Sequence, residues 1–257
     1  MDYTVGVIIT TFNSAKHINL TLNSVFNQTY QISKVIVVDD HSDDADDLIE
    51  IIKKIKQNKF SNIELIINSK NYGPGYSRNL AWSKLDTDLI CFLDDDDYWY
   101  KNKIKTQIEI FTKNPNTSLV AGKKKILNKK LYFLNKKIYH ITFLKLIYKN
   151  FIATSSVVIK SNIKFRFLNQ KYAEDYYLWL NIVNSPNNCY LINDYLCEEI
   201  SGLKKNHLSH DLHQIKLSIS FILSNFYTNN FFKNLIIFSA KLINNIKLNI
   251  KIVVKKL

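Results

Sequence analysis

Cysteine, proline, glycine and arginine are all scarce in this chain. Three cysteines (Cys91, Cys189, Cys197) in 257 residues are too few for a disulfide scaffold. Cys91 lies inside an apolar run, so all three read as reduced thiols. Five glycines and three prolines argue against a loop-rich all-β design. No stretch reaches the ~18 uninterrupted apolar residues of a spanning helix. The N-terminus, MDYTVGVIITTFN, has an acid at its second position and no basic segment, unlike a signal peptide. With 46% hydrophobic residues the composition is that of a folded chain, large enough for one large domain or two small ones. The expectation is a globular, cytoplasmic protein.

The scarcity of arginine leaves lysine as almost the whole basic complement: only Arg78 and Arg166 stand against 33 lysines. The net charge of +13 is unevenly spread. Met1 to Glu109 holds 12 basic and 16 acidic residues, whereas Ile110 to Ala173 holds 14 basic residues and no acid. Acidic clusters attract cations, and a basic block faces phosphate, nucleic acid or an anionic membrane. Charge asymmetry of this kind suggests a division of labour along the chain.

Hydrophobic periodicity alternates between strand and helix through the first ~110 residues. Thr4–Thr10, Lys34–Val38, Ile63–Ile67 and Leu89–Leu93 are short β-branched runs read as buried strands. Between them Ile18, Leu22, Val25 and Phe26 recur at helical spacing, with Asn13 or Ser14 as the candidate cap. Leu48–Ile55, Tyr76–Leu85 and Lys101–Phe111 also read as helices. Fully apolar strands alternating with helices predict an α/β fold with a mostly parallel sheet covered on both faces. Further on, Leu119–Leu134 and Ser155–Ile159 read as strand material, Asp175–Val183 as a short aromatic helix and Cys189–Ile192 as a strand. From His207 onward the pattern is helical. The expected division is a catalytic domain over residues 1–205 and a helical C-terminal extension over 206–257.

In open α/β sheets, ligands sit beyond the carboxyl ends of the strands. The first strand ends in Thr10, Thr11, Phe12 and Asn13, the second in Asp39 and Asp40, the fourth in Asp94 to Asp97. Clustered carboxylates without cysteine suit a hard divalent ion, Mg²⁺ or Mn²⁺. Glu174 and Asp175 are the first acids after the 64-residue acid-free block and open an aromatic helix. They serve either as N-caps of that helix or as a general base. Gly73-Pro74-Gly75 lacks the spacing of a dinucleotide fold or a P-loop. Arg78, just after that turn, is placed to meet a diphosphate or to form a surface ion pair. His207, His210 and His213 spread over about 120° of a helix, awkward for one zinc site.

Together these segments resemble family 2 glycosyltransferases of the GT-A fold, a Rossmann-like architecture. The matching pieces are VIITTFN (Val7–Asn13), VVDDHSDD (Val37–Asp44), NYGPGYSRN (Asn71–Asn79), CFLDDDDYW (Cys91–Trp99) and AEDYYLWL (Ala173–Leu180), in the family's order. The resemblance implies transfer of a sugar, with inversion, from a nucleotide-diphosphate donor, UDP being favoured. It implies that Thr10, Phe12 and Asp40 contact the base with Asp39 beside them. It makes Asp94 and Asp96 the DxD pair, with Asp95 between: one acid reaching the ribose, Asp96 binding Mn²⁺ or Mg²⁺. Asp175 of the Glu174–Asp175 pair would be the base. The acceptor it implies is a glycan on a lipid diphosphate, in bacterial surface polysaccharide synthesis. Two departures stand out. The four consecutive aspartates leave the DxD register open by one residue, and Ile200–Leu203 with His207 matches a further family motif only loosely.

Residues 231–257 hold six lysines, no acid, and many Ile, Leu and Phe. That pattern suits a helix lying on an anionic membrane, which would make the protein peripheral on the inner face. The same pattern also suits a helix packed on the domain with its lysines reaching solvent. A metal-dependent nucleotidyltransferase is a competing reading, but Thr11–Ser14 is not its Gly-rich basic loop. A nucleic-acid-binding module on the 110–173 block is another. Against it, the acidic strand ends would repel a polyanion and arginine is nearly absent, so no nucleic acid is expected.

Overall fold

The computed structural model describes residues 2–58, 60–127, 134–200, 211–228 and 230–256. Strands β1 (Val5–Thr11), β2 (Lys34–Asp39), β3 (Ile63–Ile67) and β4 (Leu89–Asp94) form the parallel half of one sheet. Helices α1 (Ile18–Phe26), α2 (Ala45–Asn58) and α3 (Pro74–Trp82) connect them. Next come β5 (Asp97–Trp99), α4 (Lys103–Lys113), β6 (Thr117–Lys125), β7 (Ile138–His140), α5 (Phe143–Tyr148) and β8 (Val158–Lys160). The chain closes with α6 (Glu174–Asn184), β9 (Asn188–Glu199), α7 (Leu212–Ser224) and α8 (Phe231–Lys256). The sheet order is β3-β2-β1-β4-β8-β6-β9-β5, with β7 also on β9.

Alternate residues of the central strands feed two cores, as a sheet covered on both faces requires. Val5, Val7 and Ile9 pack with Ile18, Leu22 and Val25 of α1, Leu48 and Ile52 of α2 and Ile104 of α4. Ile8, Ile36 and Phe92 face the other way, onto Trp82 of α3 and Trp179 of α6. The sheet is mixed, its parallel pairs β1–β2, β1–β4, β2–β3 and β6–β9 being joined by short antiparallel ones. β8 runs antiparallel to β4 and β6, and β5 and β7 run antiparallel to β9. Short β8 and β5 arrive through loops rather than through crossover helices, which leaves them free to pair antiparallel.

Several expectations are corrected in detail. Neither Asn13 nor Ser14 caps α1 through its side chain; His17 is the cap residue and makes no side-chain cap bond. The Ser14 carbonyl accepts from the His17 and Ile18 N–H groups instead. Asn13 adopts φ 55° and ties the β1–α1 loop to the β2–α2 loop through Asp43 and Ser42. The strand expected at Cys189–Ile192 runs on to Glu199. The break expected at 205–206, and His207 and His210, lie outside the described residues.

The C-terminal helices pack on the domain. Ile222, Leu223, Phe226, Ile237 and Ala240 join the core around Trp179. Tyr148 of α5 hydrogen-bonds Ser239 at 2.7 Å, and Asn244 donates to the Ile147 carbonyl. The opposite side of the pair leaves Leu217, Phe221, Leu235, Phe238, Leu242 and Ile246 exposed. Among the described residues no helix is long and apolar enough to cross a membrane.

Candidate active site

The carboxyl ends of β1, β2 and β4 converge, and Thr10 pairs in register with Asp94. Side chains at this rim divide into those that build loops and those that remain available. Asp39 is fully buried and accepts from the Ser42 amide and hydroxyl, so it holds the β2–α2 turn. Asp40 accepts from the Tyr72 and Gly73 amides at 2.9 and 2.7 Å, and from Asn68 and Ser77. Its Oδ1 takes three of these bonds and Oδ2 one, leaving acceptor capacity on Oδ2. Phe12 is about half exposed at the rim, whereas Thr10 is buried.

The four aspartates do not act as one patch. Asp95 folds back beneath the β1–α1 loop and accepts from the Phe12 amide at 3.1 Å, while its carbonyl accepts from Thr21. Burial pushes its pKa up to about 6. This geometry makes Asp95 a support for Phe12 rather than an open donor ligand. Asp97 is fully buried in β5, paired with Lys124 of β6 at 2.6 Å. Burial raises its pKa to about 7, partly offset by Lys124. Asp94, Asp96 and Asp97 place carboxylate oxygens within 4.8 Å of one another. An all-oxygen donor set of this kind fits a hard divalent cation. Two of the three already face a cation of the chain itself, Asp97 that of Lys124 and Asp94 that of Arg78.

Arg78 joins the two acidic regions. It is 5% exposed, not on the surface. One guanidinium nitrogen donates to Asp94 at 2.8 Å and the other to Glu174 at 2.5 Å, above the Phe167 ring. Burial opposes its charge, but Asp94 and Glu174 more than compensate and raise its pKa. The guanidinium is therefore already engaged by carboxylates, and its burial overturns the expected surface pair.

Local backbone geometry brings the second acid pair here. Ala173 enters α6 with φ 55°, turning the first helical residues toward Arg78. Gly75 lies so close that an added Cβ would sit 2.0 Å from the Leu168 carbonyl and 3.1 Å from Glu174 Cγ. A side chain there would push α3 away from α6. Glu174 is buried and its pKa is raised to about 7 by burial, against the pull of Arg78. Asp175 is half-buried; its Oδ2 accepts from the Thr154 hydroxyl at 3.1 Å and Oδ1 from the Tyr176 amide at 2.7 Å. Burial also raises its pKa.

These shifts set a sign for stability against pH. Asp95, Asp97 and Glu174 keep protons in the folded state at pH values where the unfolded chain, near 3.8 to 4.5, has released them. The native state then binds more protons than the unfolded one, and stability falls as pH rises. Urea unfolding of the metal-free protein should show stability dropping between about pH 4 and pH 7 and levelling above. Asp97→Asn should flatten that drop; a profile rising through the window would contradict the assignment.

Two groups escaped sequence reading. Lys124 and Thr154 partner Asp97 and Asp175 from 27 and 21 residues away. No local spacing marks such partners. His213 stands exposed in the first turn of α7, with no metal-ligating cluster around it among the described residues.

The family model for glycosyl transferase family 2 matches residues 6–176, which spans every element of this site. The chain is a family 2 glycosyltransferase. This transferase is 31% identical over 204 residues to an Escherichia coli enzyme, WfgD, named UDP-Glc:alpha-D-GlcNAc-diphosphoundecaprenol beta-1,3-glucosyltransferase, with 77% of each chain covered. WfaP of the same organism and the same activity name is 33% identical over 196 residues, 70% of each. The fold is that of GT-A transferases. S. aureus TarS in complex with UDP-GlcNAc superposes with a TM-score of 0.73 at 23% identity, over 91% of this chain and 70% of that one. A Pyrobaculum calidifontis mannosyltransferase with GDP-Man and Mn²⁺ gives 0.67 at 14%, over 88% and 64%.

Proposed function

We propose that this transferase moves a sugar, with inversion, from a UDP-sugar to a hydroxyl of a glycan carried on a lipid diphosphate. One observation carries the reading: Arg78 clamps Asp94 on the donor rim and Glu174 beside Asp175 at once. Donor-side acids and the candidate base are thus held one guanidinium apart. Thr10, Phe12 and the free acceptor position of Asp40 would meet the base, with Asp39 fixing the loop behind them. Asp94 would reach the ribose. A divalent ion at Asp94 and Asp96, Mn²⁺ or Mg²⁺, would neutralise diphosphate charge when bound.

In the transfer itself, Asp175 takes the proton from the acceptor hydroxyl. The freed oxygen electron pair bonds to the anomeric carbon, and the carbon–oxygen bond to the β-phosphate breaks on the opposite face. That bond's electrons leave with the nucleoside diphosphate. Thr154 keeps Asp175 aimed by donating to Oδ2. The names of WfgD and WfaP support the lipid-linked acceptor, and that of AmsB, an amylovoran biosynthesis glycosyltransferase of Erwinia amylovora, supports a surface polysaccharide product. Calorimetric titration tests the donor site. UDP should bind in a metal-dependent way to the wild type, and Asp96→Asn should abolish the metal dependence. Metal-dependent binding of GDP but not UDP would change the donor, and binding of neither would sink the reading.

The same function places the enzyme on the inner face of the membrane as a peripheral protein. Leu235, Phe238, Leu242 and Ile246 form an exposed stripe on α8, beside Leu217 and Phe221 of α7. Seven lysines and no acid occur from Leu212 onward. An apolar stripe with only positive charge around it matches an anionic bilayer. Wild type should sediment with phosphatidylglycerol-containing vesicles, and Phe221→Glu/Phe238→Glu should stay in the supernatant. Equal sedimentation of both would refute the surface assignment.

A further inference from the structure

Thr154–Ser156 form a single 3₁₀ turn between α5 and β8, and all three residues are buried. The turn touches both acidic regions. The Thr154 hydroxyl donates to Asp175, and the Ser155 hydroxyl accepts from the Asp94 amide at 3.1 Å. Arg78 already links Asp94 to Glu174, the neighbour of Asp175. These contacts close a ring, from Asp94 through Arg78 to Glu174 and Asp175, then through Thr154 and Ser155 back to Asp94. Arg78 is one strut of that ring and the turn is the other.

A short turn has no ladder to satisfy its buried carbonyls, so side chains must do it. The Trp99 indole N–H donates to the Ser155 carbonyl at 2.7 Å, and Gln107 Nε2 donates to the Ser156 carbonyl at 2.8 Å. The same amide donates to the Val120 carbonyl of β6 at 2.7 Å. Lys103 selects that orientation. Its ammonium offers donors only, so the Gln107 oxygen turns to it at 2.8 Å and both amide hydrogens are left for the carbonyls. Trp99, Lys103 and Gln107 are all fully buried, and Lys103 has no carboxylate partner among the described residues. Burying a lysine without a counterion costs free energy. Here the amine contacts one amide and one indole ring, the two groups that hold the turn.

The two ends of the ring differ in how they are anchored. Asp94 sits on β4, paired in register with Thr10, so the sheet itself holds the donor rim. Asp175 stands in the first turn of α6, just after Ala173 with its φ of 55°, and no strand holds it. Resting on the reading of Asp175 as the base, we propose that the Thr154–Ser156 turn fixes that base against the donor rim, with Trp99, Gln107 and Lys103 as positioning residues acting through the turn. Loss of the strut displaces Asp175 and leaves the rim in place, so its effect falls on kcat.

The test uses the full chain, with UDP-glucose and a GlcNAc-diphospholipid as substrates and UDP affinity measured alongside. Trp99→Phe keeps a ring and removes the N–H, Gln107→Met keeps the length and removes the amide, and Thr154→Val keeps the shape and removes the hydroxyl. Each should lower kcat by about tenfold, while KM for both substrates and UDP affinity stay within about threefold. Added to Thr154→Val, Trp99→Phe should lower kcat by no more than about twofold further, because both act through one contact. Parallel losses of kcat and UDP affinity, or full additivity in the double variant, would reduce Trp99 to packing and overturn the proposal. Thr154→Val decides the matter if the buried variants fail to fold: a wild-type kcat there overturns the strut. Hydrogen exchange gives a readout without substrate. Trp99→Phe or Thr154→Val should speed exchange over Tyr176–Leu180 and leave β4 unchanged; unchanged exchange in α6 overturns the strut even if neither substrate is turned over. Wild-type rates in all three variants beside an inactive Asp175→Asn overturn the strut and leave the base. An active Asp175→Asn removes the base reading, and with it this role for the turn.

Discussion

Asp175→Asn should lower kcat for sugar transfer by about 10²–10⁴-fold while leaving UDP affinity within about threefold of wild type. Amide for carboxylate preserves shape and the bond from Thr154 but removes the site that takes the acceptor proton. The hydrogen bonds of Asp175 go to Thr154 and to its own helix, so the substitution leaves the Arg78–Asp94 pair in place. The wild type should also lose activity on the acid side. The base must be ionised, and burial places that limb above the usual aspartate value of 3.8. Steady-state kinetics of both proteins across pH, with UDP titrations alongside, check this directly. A variant retaining kcat within a few-fold would remove Asp175 from the chemistry.

Arg78→Met should cost about 3–5 kcal/mol of folding stability, because deleting one member of a buried ionic network strands the others. Glu174, nearly as buried as Arg78 itself, would carry most of that cost, and Asp94, partly open to water, less. Adding Glu174→Gln to Arg78→Met should therefore recover a good part of the loss. Arg78→Lys should recover little, since one ammonium cannot reproduce two donors fixed in a planar fork. Urea unfolding of the four proteins measures all of this. Full stability in the single variant would show that the clamp contributes nothing to the fold.

These two positions also show how unequally the chain revealed itself. Asp175 stood out because the acid-free block made Glu174 and Asp175 conspicuous and because AEDYYLWL resembles a family segment. Arg78 was conspicuous for its rarity, yet its burial and its carboxylate partners were not foreseen. Its partners lie 16 and 96 residues away, and only the docking of α6 against α3 brings Glu174 to it. Asp95 and Asp97 look alike in DDDD, but one supports Phe12 and the other pairs with Lys124. Strand β5 reverses the backbone between them, and nothing in a run of identical residues signals that turn. Lys103 is fully buried over the Trp99 ring at 4.1 Å, a placement that no local pattern signals.

The parallel half of the sheet, its helices and the rim where acids gather follow from local information. Apolar runs of strand length alternate with helical periodicity, and right-handed crossovers leave few ways to assemble them. Antiparallel β5, β7 and β8 are three residues long each, too short to carry a periodic signal, and they are placed by pairing with distant strands. The charge map divides in the same manner. Composition showed that residues 110–173 are basic, but it could not say which lysines are neutralised. Lys124 faces Asp97, whereas Lys123, across a register shift between β6 and β9, has no ion-pair partner among the described residues on its side. Long-range packing then decides what each side meets.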